Sequence, residues 1–220
     1  MLHGLGSNKE AMEPLARYAA TLGYASLAID EYGQGERAPT PTMDPLSAAV
    51  VQQELLTGIP QTAIDGRRGL DYLETCPKID SKRFGLVGVS RGAIMGCVAS
   101  GDDKRLKATV LVSGGGDWSL ILQHLAAQAR TVGGQSISTA QNINWPFISA
   151  LLMPEDPLTF ASHIAPRPLL MVNGRKDTTI IPAAAEELYK AASAPANSHA
   201  QIVWLPDTGH IPAPAQVYPV

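Results

Sequence analysis

Cysteine is scarce in this sequence: Cys76 and Cys97 are the only two among 220 residues, too few for a disulfide framework or a cysteine-rich zinc site. Neither sign of charge is in excess, since 17 Lys and Arg stand against 20 Asp and Glu and leave a formal −3. So even a balance supplies no electrostatic footprint for nucleic acid or an anionic membrane surface. Long apolar runs are missing too; none approaches the ~18 residues that a membrane span needs. The opening Met1-Leu2-His3-Gly4-Leu5-Gly6 lacks the basic start and apolar stretch of a secretory signal. What is present, 45% hydrophobic and 17% charged residues, suits one soluble domain with a real core. The expectation is a cytoplasmic protein without nucleic-acid or membrane partners.

Short apolar runs alternate with longer helical patterns, which predicts an α/β domain around a mostly parallel sheet. Residues 24–30 read as the first strand and open into the polar loop 31–37. Asp44-Pro45 reads as an N-cap followed by proline at the first helical position, predicting a helix from 46 to about 56. A second helix is expected from Pro60 to about Thr75, with Ile64, Leu70 and Leu73 as core contacts. Further strands are expected at 83–89, 108–113, 168–173 and 201–205, with helices at 91–100 and 182–192. Their lack of clean alternation fits strands covered on both faces. Residues 118–163 break this rhythm with helical patterns at 120–130 and 142–152 around a polar stretch at 131–139. They read as a two-helix cap inserted into a single domain.

Gly88-Val89-Ser90-Arg91-Gly92 fits Gly-x-Ser-x-Gly. Chance yields such a match in roughly 5–10% of chains this long, at ~7% each for Gly and Ser. Context strengthens it: a buried strand runs directly into the motif and a small-residue helix leaves it, the strand–turn–helix setting of a nucleophile elbow. A serine nucleophile needs a base, and the base an orienting carboxylate. The strand at 201–205 leads to Asp207-Thr-Gly-His210, and the strand at 168–173 leads to Gly174-Arg-Lys-Asp177. Ser90, Asp177, His210 is the hydrolase order Ser…Asp…His. Asp117 also follows a strand end and is the second choice of acid, while Asp207 reads as a turn former. His3, His124, His163 and His199 read as packing or surface residues, His124 with some reserve because a cap can line a pocket. An oxyanion hole needs two backbone N–H groups, expected from Arg91 and from Leu5 in the His3-Gly4-Leu5-Gly6 loop.

Together these pieces, with the loop Asp30-Glu-Tyr-Gly-Gln-Gly-Glu-Arg37, resemble an α/β-hydrolase, and within that superfamily the dienelactone hydrolase and acetyl-xylan-esterase-like group of small esterases. Two departures stand out. Dienelactone hydrolase itself uses cysteine as nucleophile, whereas position 90 is serine, which favours ester hydrolysis. The residue after the nucleophile is Arg91, where small or amide residues are common; a cation in the first helical turn opposes the helix dipole, so Arg91 is expected to have a carboxylate partner.

The resemblance implies a serine carboxylesterase acting on small, short-acyl esters through an acyl-enzyme, with no metal or organic cofactor. A thioesterase or small peptidase with the same triad, or an inactive hydrolase-fold protein, is the alternative. Tyr32, Gln34, Trp118, His124, Trp145 and Phe147 are candidate pocket walls. The resembled fold also has a central strand before the His-Gly loop, between 24–30 and 83–89, and only Met1 and Leu2 precede His3. The helix normally found after the catalytic histidine is short too, with ten residues left after His210. An open slot would leave backbone groups unpaired. Three outcomes are expected: direct pairing of the flanking strands, a second copy of the chain closing the gap, or a shortened form of a longer protein.

Overall fold

The structure, a computed structural model, describes residues 1–38, 54–129 and 144–217. Strands β1 (Phe84–Val89), β2 (Leu106–Val112), β3 (Pro168–Gly174) and β4 (His199–Leu205) stand in the order β1-β2-β3-β4, and every pair is parallel. Parallel neighbours need crossovers, and helices supply them: α3 (Arg91–Asp102) between β1 and β2, then α4 (Trp118–Ala129), α5 (Trp145–Leu152) and α6 (Pro157–Ala161) between β2 and β3, and α7 (Pro182–Ser193) between β3 and β4. Before the sheet come α1 (Glu13–Thr21) and α2 (Ile59–Glu74), and α8 (Pro214–Val217) follows it. Val89, Val112, Val172 and Val203 form one row across the four strands. The loops leaving the strands are thereby gathered at one end of the sheet, where open α/β sheets place their sites.

Helix α3 is the centre of the packing: residues 91–101 are all buried between β1 and β2 on one side and α2 and α6 on the other. Its Ala and Gly residues permit that close approach, and Leu86, Leu111, Met171 and Leu188 complete the core around it. Part of the segment expected as a cap also packs here, since Trp118, Ile121 and Ala161 are core residues. On α2 the buried positions are Ile59, Thr62 and Leu70, whereas Ile64 is exposed. At 100° per residue Ile64 lies ~240° round the helix from Leu70, so the expected core contact at Ile64 is corrected. Helix α1 is not among the elements expected from the sequence. The helix expected at 46–56 falls mostly outside the described residues, and the polar stretch 131–139 entirely so.

The expected first strand at 24–30 is also corrected: these residues carry no strand ladder. Direct pairing with β1 does not occur, because a stub one strand wide stands between them. The Met1 amine donates to Leu27 O (2.7 Å) on one side. On the other, Leu2 N donates to Val87 O (2.9 Å) and Val89 N to Leu2 O (3.0 Å), a parallel bridge of Leu2 to Gly88. Beyond the stub lies a cavity of about 610 Å³ lined by Leu27, Ile29, Leu70, Leu73 and Leu86 among others. A strand is a property of a pair, and among the described residues, 24–30 meet the stub through a single backbone contact, Leu27 O with the Met1 amine.

Candidate active site

Ser90 sits between β1 and α3 at φ 55°, ψ −117°. A non-glycine residue there costs of order 1–3 kcal/mol and persists only when its surroundings enforce it. Here the enforcement is visible: Ser90 N donates to Val112 O (2.8 Å), and Ala93 N donates to Ser90 O (2.9 Å). The turn also needs close backbone approach, because a Cβ at Gly92 would overlap the carbonyls of Leu2 and His3. Gly92 N instead donates to His3 O (3.0 Å), tying the elbow to the N-terminal loop.

From the ends of β3 and β4 come the other two groups. Ser90 Oγ lies 2.7 Å from His210 Nε2, and His210 Nδ1 lies 2.8 Å from Asp177 Oδ2. A carboxylate accepts, so Nδ1 carries the proton and Nε2 is left as the acceptor for the serine hydroxyl. Asp177 is buried, and its other oxygen accepts from Thr179 N (2.8 Å) and Ile180 N (3.0 Å), which fixes the carboxylate plane. The two loops are clamped together: Lys176 N donates to Thr208 O (2.9 Å), and Lys176 Nζ pairs with Asp207 (2.7 Å). A Cβ at Gly174 would overlap the carbonyls of Thr208 and Gly209, so the crossing point requires glycine. Ser113 Oγ donates to the His210 carbonyl, anchoring the histidine from β2 as well.

Asp117 is not brought to His210. Its carboxylate caps α4 by accepting from Leu120 N (3.0 Å), in a left-handed conformation with φ 66°. Among the described residues the Leu5 N–H donates to no protein acceptor, and Leu5 is exposed beside the site. The loop is held from both ends, by Gly6 N to Gln34 Oε1 (2.8 Å) and by His3. His3 is buried, with Nδ1 donating to Gly4 O (2.8 Å) and Nε2 accepting from Glu31 N (3.1 Å). Burial pulls its pKa down, as suits a neutral ring in a structural role.

The expected pocket residues divide. Gln34 is committed to the loop, Tyr32 lies under Arg37, and Trp118 is in the core. His124 reaches Thr178 O (2.8 Å), one residue beyond Asp177, so it touches the acid loop. Phe147 is exposed; the side chain of Trp145 is outside the described set. Among the described residues no group of three or more His, Cys, Asp and Glu side chains is arranged to hold a metal ion, and no helix is long and apolar enough to cross a membrane.

The sequence reading missed Glu31. It is fully buried and forms an ion pair with Arg91, while Arg91 Nη2 donates to Thr62 Oγ1 (3.1 Å). The carboxylate partner demanded by a cation in the first turn of α3 is thus present. No local pattern marked it, since its partner lies 60 residues away in sequence.

Comparison with known proteins agrees with this geometry. The profile of the dienelactone hydrolase family matches residues 2–213. The candidate hydrolase YtaP of Bacillus subtilis is 30% identical over 93 residues, which are 41% of this chain and 29% of that protein. The chain therefore aligns with under a third of that relative's length. Among solved structures, the Pyrococcus furiosus esterase Pf2001 is 23% identical, with 99% of this chain and 76% of that one covered at a TM-score of 0.65. The acetyl xylan esterase of Paenibacillus sp. R4 is 22% identical, with 98% and 69% covered at a TM-score of 0.75. At such identities these neighbours establish the α/β-hydrolase fold.

Proposed function

The chain belongs to the dienelactone hydrolase family, and from that premise we propose that it is a hydrolase, a serine carboxylesterase acting on small, short-acyl esters. The observation that carries this reading is the unbroken chain Ser90 Oγ, His210 Nε2, His210 Nδ1, Asp177 Oδ2, with links of 2.7 and 2.8 Å. His210 takes the Ser90 proton as Oγ attacks the acyl carbon. The Leu5 and Arg91 N–H groups hold the developing oxyanion, and Asp177 orients His210 and stabilises its imidazolium. His210 then protonates the departing alcohol, and it activates the water that hydrolyses the acyl-enzyme. Of the expected walls, His124 touches the loop that carries Asp177, through Thr178 O (2.8 Å).

The test is hydrolysis of p-nitrophenyl acetate and butyrate by the protein and by Ser90→Ala. The variant is expected to lose at least ~10³-fold in kcat, with acetate preferred over butyrate. Equal rates for the two proteins would defeat the reading. Acetyl thioesters assayed alongside separate a thioesterase from an esterase.

A further inference from the structure

The hydrolytic steps leave one buried charged pair beside the nucleophile without a task. We propose that Glu31 and the guanidinium of Arg91 are positioning residues that set the separation of the two oxyanion donors; the inference rests on the serine-hydrolase reading above. Arg91 contributes one donor through its own backbone. Its side chain, 7% exposed, runs to Glu31, which is fully buried. Glu31 N donates to His3 Nε2 (3.1 Å), the His3 ring holds Gly4 O (2.8 Å), and the His3 carbonyl accepts from Gly92 N (3.0 Å). These contacts close a ring of residues 3–4, 31 and 91–92. The carrier of the Leu5 donor and the carrier of the Arg91 donor sit on opposite sides of that ring. Thr62 on α2 steadies it through Arg91 Nη2.

Stability alone explains the pair poorly. Taking two charges out of water offsets most of their mutual attraction unless every remaining lone pair is satisfied, and among the described residues the buried Glu31 Oε1 has no hydrogen-bond partner. An unsatisfied buried oxygen calls for an explanation. Fixed geometry supplies one, because an oxyanion donor is effective only at ~2.7–3.1 Å from the transition-state oxygen. Burial also pulls the Arg91 pKa down to about 10, so the cation persists at neutral pH and Glu31 remains its counter-ion.

Glu31→Gln keeps the shape and removes the charge; Arg91→Lys keeps the charge and removes the fork. Both are expected to lower kcat for p-nitrophenyl acetate ~10–100-fold with KM within about threefold. Both should weaken a trifluoromethyl ketone that mimics the tetrahedral intermediate by the same factor. A purely structural pair would move the urea midpoint and leave kcat and inhibitor affinity within twofold, and that result overturns the proposal. Thr62→Val removes one hydrogen bond only and is read if the other variants do not fold. A fall of about threefold or more in kcat and in inhibitor affinity supports the proposal; no change sinks it. Fluorophosphonate labelling of Ser90 separates the two levels. An unlabelled wild type overturns the serine reading and this inference together, while a labelled wild type with unaltered variants overturns this inference alone.

Discussion

Asp117 and Asp177 follow adjacent strands and are the same residue type, yet their tasks differ because of what each oxygen meets. Asp177 places one oxygen on two backbone N–H groups and the other on His210. Asp117 spends its side chain on the first turn of α4. Asp177→Asn is therefore expected to lower kcat by ~10⁴, since an amide can stabilise the wrong tautomer of His210. Asp117→Asn keeps a capping side chain and is expected to stay within a few-fold of wild type. Steady-state kinetics on p-nitrophenyl acetate checks both, and a larger loss from Asp117 would reverse the assignment. Ser90, Asp177 and His210 could be placed together from sequence because each stands within five residues of the end of a parallel strand, so topology delivers them to one end of the sheet. Glu31 could not, because its partner lies 60 residues away and neither residue belongs to a motif that specifies the pairing.

Among the elements, α4 and α6 depend on one side chain. Asp156 Oδ1 accepts from Asp117 N (3.1 Å) and Leu158 N (2.9 Å), and Oδ2 accepts from Trp118 N (2.7 Å). It thus caps α6 and satisfies the entry to α4. Asp156→Ala leaves those partly buried N–H groups without an acceptor and is expected to cost about 2–4 kcal/mol, measured by urea unfolding. A loss below 0.5 kcal/mol would show that the caps are replaced by water. The strands β1–β4 and helices α2, α3 and α7 match their expected spans to within a few residues, because each strand is a short apolar run and each helix has a boundary signal. Helix α1 has those signals as well, with Pro14 in its first turn and Leu15, Tyr18, Ala19 and Leu22 at helical spacing. Nothing in its chemistry drew attention to it. Residues 24–30 failed in the opposite sense: their composition is that of a strand, but composition supplies no neighbour.

For the whole molecule, His3 ties the N-terminal loop to Glu31 and Gly92, and burial pulls its pKa down. Just below the ordinary histidine value the unfolded chain therefore binds more protons than the folded one, so stability rises with pH up to that value. Urea unfolding at about pH 5 and pH 7 reads the rise, and His3→Gln is expected to flatten it. A slope that survives the substitution would assign it to other groups. By itself the sequence determined the parallel α/β layout, the elbow at Ser90 and the order of the three loops that follow it, because strand–loop–helix alternation leaves one sheet end for such loops. Only the tertiary structure decided that Asp177 and not Asp117 meets His210, that Glu31 balances Arg91, and that a single stub separates 24–30 from β1. Those are contacts between segments remote in sequence, and they are set by packing distance and unmet hydrogen bonds, which no local pattern encodes.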